Sequence, residues 1–193
     1  MKRVVKKTDS EILRNNIEYK VGGDNSQLSQ LLFQEQKGFC AYTETYLGRT
    51  DKKEIDHFNP KKEFVDRNKY HNLFLVKGQW NNEKSAKWDD YQPILHPTDE
   101  KLEERIIYFD GDYILNDETD NKAKNFICLL KLDDPDLASE RKRYIKRKKD
   151  DIKSYGVDAI TFFSDLINAD INNIHFLRAI DEEFGIDIKS LLP

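Results

Sequence analysis

The sequence predicts an α+β fold in which helices dominate and two short stranded pieces are set among them. Three observations carry this. Apolar residues recur at helical spacing near the N-terminus and from about Lys122 onward. Ile106-Ile107-Tyr108-Phe109 and Tyr113-Ile114-Leu115 flank Asp110-Gly111-Asp112, which reads as a hairpin with an Asp-Gly turn. Between Phe39 and Trp88, short apolar pieces alternate with long polar ones, and this segment holds His57 and His71. No repeat, low-complexity tract or linker divides the chain, so residues 1–193 read as one domain.

Asp9 or Ser10 can cap a first helix running through about Tyr19, and Gly22-Gly23 breaks that pattern. Asn25 or Ser26 can cap a second, in which Leu28, Leu31, Leu32 and Glu35 show helical spacing until Gly38 stops it. Residues 1–38 are thus N-terminal helices. In residues 39–90, Glu54-Ile55-Asp56-His57-Phe58 is a short extended piece, and Asn72 opens a second strand, Leu73-Phe74-Leu75-Val76. Asn81 then reads as the cap of a helix reaching toward Trp88. Residues 91–193 hold the hairpin and the C-terminal helices Lys122 to Leu130, Pro135 to about Tyr155, Val157 to Asn168 and Ile171 to Phe184. Gly156 and Gly185 supply stops among them.

Of 193 residues, 38% are hydrophobic and 35% charged, values that suit a compact domain with a strongly charged surface. There is no run of about eighteen apolar residues, and the charged start Met1 to Lys7 has no apolar segment behind it. Neither secretion nor a membrane partner is expected. Cys40 and Cys128 lie far apart, and without a signal peptide they are expected to be reduced, which implies a cytoplasmic location.

The net charge of -4 argues against a protein that coats nucleic acid by bulk attraction. Locally, Arg141 to Lys149 places seven basic residues in nine positions. That run is either a solvated helix face or a surface for phosphates or an acidic partner. Arg141, Lys142, Lys146, Arg147 and Lys149 are its candidates for nucleic-acid contact.

The chemistry-bearing residues are Asp56, His57, Asn72 and Asn81. Adjacent strand residues face opposite ways, so the first strand must end or twist at His57 for both acid and imidazole to serve one site. An unperturbed imidazole, with a pKa of about 6.5, takes a proton from water near neutral pH and makes His57 the natural general base. Asp56 and the amide oxygen of Asn81 are hard oxygen ligands, suited to one magnesium or manganese ion that keeps several waters. Taken singly, such residues more often satisfy buried groups, start strands or cap helices; their joint spacing is what points to phosphodiester hydrolysis.

Asp56-His57, Asn72, and Asn81 followed by Lys84 resemble the HNH endonuclease signature in its asparagine-ending variant. With Phe39-Cys40-Ala41-Tyr42-Thr43-Glu44, Asp56-His57-Phe58-Asn59-Pro60-Lys61, Leu95-His96-Pro97 and Phe109 to Ile114, the chain resembles the HNH nuclease subunit found beside an ATPase in Septu-type and retron-linked phage-defence systems. The likeness spans about Gly38 to Arg147.

It implies a ββα-metal (HNH) motif over residues 39–90, with His57 as base, Asp56 and Asn81 as metal ligands, and Asn72 fixing the loop and the histidine. Lys84 either reaches a phosphate or remains an exposed helix lysine. The implied function is hydrolysis of DNA, or of RNA by the same chemistry, as an anti-phage effector controlled by a partner ATPase. Oligomeric state would be set by that complex. The alternative is a catalytically silent HNH-scaffold adaptor that binds an ATPase or nucleic acid.

The chain departs from the family at two Cys-x-x-Cys pairs that often hold a structural zinc. The matched positions are Cys40, Thr43, Lys77 and Trp80, so no structural zinc is expected. Phe39, Tyr42 and Trp80 are expected to fill that space.

Overall fold

Helix starts follow from side chains that satisfy the first free amides. In the computed structural model, which describes residues 1–61 and 63–193 and only the backbone of Ser85, Ser10 accepts from the Ile12 amide and begins α1 (Glu11–Arg14). This helix ends after one turn, well short of Tyr19, because Asn16 adopts a left-handed conformation and turns the chain back over Ile12. α2 (Ser26–Glu35) buries Leu28, Leu31 and Leu32.

Beyond it, β1 (Lys53–His57) pairs antiparallel with β2 (Leu73–Lys77), with Asp56 opposite Phe74 and His57 opposite Leu73. Leu73 to Val76 are fully buried, as a continuous apolar run in a strand covered on both faces requires. The outer edge of β2 is closed by a side chain: the Gln36 amide both donates to Leu75 O and accepts from Leu75 N, each at 2.8 Å. β2 runs directly into α3 (Gly78–Ser85), whose start is tied by the Gly78 amide to Lys52 O. Asn81 is therefore inside this helix and not its cap.

After α4 (Leu102–Arg105), β3 (Ile106–Phe109) and β4 (Asp112–Leu115) form the hairpin. Asp110 and Gly111 both have positive φ, at 47° and 84°, as a two-residue turn matching strand twist demands. Then come α5 (Asn121–Leu130), α6 (Pro135–Tyr155), α7 (Ala159–Asp170), α8 (Leu177–Phe184) and α9 (Ile188–Leu191). Asp134 caps α6 ahead of Pro135, and Gly156 ends it in the left-handed region.

The single helix read over 171–184 is interrupted. Ile174 to Phe176 leave helical geometry, His175 bridges to Thr45, and the Phe176 amide donates to Glu44 O. This break buries Ile174 and Phe176 in the core. Two buried arginines join the hairpin to the helices: Arg141 donates to Gly111 O and Leu132 O, and Arg178 to Ile106 O and Glu103 O. The architecture is α+β with two small antiparallel sheets. Among the described residues, no helix is long and apolar enough to cross a membrane.

Candidate active site

Asp56, His57 and Asn81 line one cavity of about 450 Å³, together with Tyr19 and Arg67. β1 ends at His57, and the chain then turns away at Phe58. The two neighbouring side chains meet very different surroundings.

Asp56 is 1% exposed. The Tyr42 hydroxyl donates to one of its oxygens, and Lys84 Nζ lies 3.2 Å from the other. The same ammonium donates to the carbonyls of His57 at 2.9 Å and Phe58 at 2.8 Å. Lys84 thus has an acceptor for each of its three N–H groups and is fully buried. It is neither an exposed helix lysine nor placed to reach a phosphate: its stem runs inward from α3 and its charge is spent inside. Burial pushes the Asp56 carboxyl above its usual value and the Lys84 ammonium below its own, while their mutual attraction opposes both shifts.

His57 is 8% exposed and belongs to a strand, not a loop. Its Nε2 lies 3.0 Å from Asn68 Oδ1. With the Asn68 amide oxygen as the acceptor, the proton sits on Nε2 and the lone pair on Nδ1. The Tyr19 ring stands edge-on to the imidazole with centroids 4.5 Å apart. Burial, and then the Arg67 charge, hold the imidazole down to about 4, so it is neutral at pH 7 but a weaker base than the unperturbed imidazole that the sequence suggests.

Asn72 organises the connection between the strands. Its amide accepts from Asn59 N at 2.8 Å and donates to Asn59 O at 3.0 Å and Arg67 O at 2.8 Å. Its own carbonyl accepts from Phe58 N. The residue does not reach the imidazole ring directly. It holds the loop that presents Asn68, the partner of His57, and Arg67.

Asn81 Nδ2 donates to Glu54 Oε2 at 2.8 Å, which leaves its amide oxygen as the hard donor on the cavity. Bonds from Lys52 and Asn81 outweigh partial burial and keep the Glu54 carboxyl below its usual value. A carboxylate and an amide oxygen are the donor types that magnesium or manganese takes, but Asp56 is buried with one oxygen on Tyr42 and the other on the Lys84 ammonium, so ligation there requires one of those partners to be displaced. Among the described residues, no group of three or more His, Cys, Asp or Glu is arranged to hold a metal ion of any kind.

At the four positions matched to zinc ligands, other bonds are made. Cys40 Sγ accepts from Lys77 N at 3.4 Å, Thr43 bonds Thr45, Lys77 pairs with Asp51, and Trp80 Nε1 donates to Leu130 O. Phe39 and Tyr42 are buried, and Trp80 packs partly buried against the core.

The basic run on α6 is split by the helix period. Arg141 is 2% exposed and bonded to backbone carbonyls, so it belongs to the core and not to a nucleic-acid surface. Lys142 pairs with Asp110, and Lys149 with Glu183. Lys146 and Arg147 are exposed.

Sequence reasoning did not single out Tyr19, Arg67 or Asn68. All three come from polar or irregular stretches without periodicity, and only the path of the chain brings them to His57. No family model matches this chain, and neither a curated protein nor a solved structure does.

Proposed function

We propose that this chain is a metal-dependent HNH-type endonuclease, hydrolysing phosphodiester bonds of nucleic acid at the cavity lined by Asp56, His57 and Asn81. The observation that carries this reading is the convergence of the His57 imidazole, the Asp56 and Asn81 side chains and Arg67 on one cavity. His57 Nδ1 takes the proton of the attacking water, and Asn68 holds the ring in the required tautomer. Arg67 steadies a non-bridging phosphate oxygen. Asp56 and Asn81 would hold one magnesium or manganese ion, which supplies Lewis-acid polarisation of the phosphate when bound. DNA is the proposed substrate, with RNA open to the same chemistry, and the resemblance noted above extends the proposal to an anti-phage effector governed by a partner ATPase.

The test is cleavage of plasmid DNA and structured RNA by the purified chain, alone and with a co-purifying ATPase, with magnesium or with chelator. Metal-dependent cutting is expected, and His57→Ala should reduce it by about 10²- to 10⁴-fold. One observation favours a second reading, that of a silent adaptor: both Asp56 oxygens are already engaged by Tyr42 and Lys84. Binding of nucleic acid or ATPase without cutting under any of these conditions would select the adaptor.

A further inference from the structure

The cavity at His57 borders another. A second cavity, of about 560 Å³, shares Tyr19, Ile55 and Asn81 with it and continues along the start of α2 to Ser29, Gln30 and Lys53. Each lies in the range of about 300–1,000 Å³ that encloses a small organic group. The wall next to His57 is apolar: Tyr19, Ile55, Pro60 and Val21, which is 76% exposed.

Further along, the lining changes to hydroxyls and amides, with two carboxylates, of which Glu54 is paired with a lysine and Asp24 keeps its charge. Glu54 is bound by Lys52 and Asn81, and Asp24 by the amide and hydroxyl of Ser26. Arg67, whose Nε donates to Pro60 O, lines the first cavity, and Lys53, whose ammonium lies 4.8 Å from the Phe33 ring centroid, lines the second.

An aromatic ring beside the catalytic imidazole, an apolar wall and separated cations form a surface for an unstacked base with phosphates to either side. A base inside a duplex cannot enter such a recess without leaving its stack, which costs a few kcal/mol. Resting on the nuclease reading of His57, we propose that this joined cleft binds a single-stranded polynucleotide, with one base packed against Tyr19 and the chain continuing past Asn81 toward Lys53. Tyr19 then selects unpaired over paired substrate.

The experiment is equilibrium binding, followed by fluorescence anisotropy, of one labelled sequence presented as single-stranded DNA, single-stranded RNA and DNA duplex, in chelator so that nothing is cut. At least 10-fold tighter binding of a single strand than of the duplex is expected, and the two single-stranded arms show which sugar is preferred. Tyr19→Ala should weaken single-strand binding about 10-fold and leave duplex binding within 2-fold, since stacking on one aromatic ring is lost. Tyr19→Phe should restore it, and thermal melts of both variants should match the wild type.

Equal affinity for duplex and single strand, or unchanged single-strand affinity in a folded Tyr19→Ala protein, would overturn the proposal. If Tyr19→Ala does not fold, Val21→Asp, on an exposed position of the same wall, takes its place and should weaken single-strand binding alone. Single-strand binding that depends on Tyr19, with no cutting in magnesium either alone or with the ATPase, would leave this cleft standing and remove the nuclease reading. Cutting that prefers duplex would do the reverse.

Discussion

The two antiparallel strand pairs of this protein are built by opposite means. β3 and β4 are joined by Asp110-Gly111 alone, and their register follows from a turn whose residues accept positive φ. β1 and β2 are separated by residues 58–72, a connection that one asparagine amide ties together by bonding Asn59 and Arg67. The hairpin exposes apolar side chains, Ile107, Phe109 and Ile114. The longer pair buries an aspartate, a histidine, an asparagine and a lysine. Local turn chemistry is enough to set a strand pair, whereas a cluster of buried polar groups needs a connection long enough to bring in partners for all of them.

The sharpest way to break this contrast is Lys84→Met. It leaves Asp56 as an unpaired buried carboxylate and strips the His57 and Phe58 carbonyls of their donor. A loss of about 3–5 kcal/mol is expected. Lys146→Met, on the exposed face of α6, should stay within about 0.5 kcal/mol. Urea melts of both variants check the pair. If the two losses were equal, the buried ion pair would have no special weight, and adding Asp56→Asn to Lys84→Met should recover part of the loss.

Asn72→Ala tests the pin itself. It removes one acceptor and two donors from the backbone of the connection, and about 2–3 kcal/mol should go with them. Hydrogen exchange at Phe58 to Arg67 should accelerate while the β3–β4 amides stay protected, a pattern that a global loss of stability would not produce. On the hairpin side, Gly111→Ala places a Cβ 3.0 Å from Ala138 O and 2.4 Å from Lys142 Cγ at a φ of +84°. About 2–3 kcal/mol is expected, because the positive φ is joined by a clash with Lys142 Cγ and a close approach to the backbone Ala138 O. A neutral outcome in melts would show that the turn tolerates a side chain there.

The smallest effect is a pH dependence from the aromatic layer under β1 and β2. His96 packs against Phe58 and Phe74, and burial, then the His71 and Lys6 charges, lower its pKa to about 4. In the unfolded chain the value is about 6.5. Between these values the unfolded state binds a proton that the folded state refuses, so stability falls as pH drops from 6.5 toward 4. His96 is partly exposed, and a loss on the order of 1 kcal/mol is expected by pH 4.5. His96→Asn should flatten the stability profile by that amount across this window. An identical profile in wild type and variant would assign the acid loss to other groups.

Several elements were legible before any fold was known. The run from Asp134-Pro135 to Gly156 carries its own cap, first-turn proline and left-handed stop, and α6 occupies those bounds. The hairpin is written in Asp110-Gly111, and β2 in an apolar run too short for a helix. Such features rest on neighbours within about four positions, where backbone preference and side-chain capping act directly.

What the tertiary structure alone decided is which polar groups are inside and what they touch. Asn81 reads locally as a cap, yet the helix starts earlier because Gly78 N finds Lys52 O. The 171–184 segment has helical spacing, but burial of Ile174 and Phe176 and the bridge from His175 to Thr45 break it. Lys84 and Arg141 look like surface bases, and Arg67 like any loop arginine. Whether a charge is buried depends on acceptors far away in the chain, Asp56 and the His57 carbonyl for Lys84, Gly111 O for Arg141. Desolvating a charge costs several kcal/mol unless those acceptors converge, and only the folded chain sets that convergence.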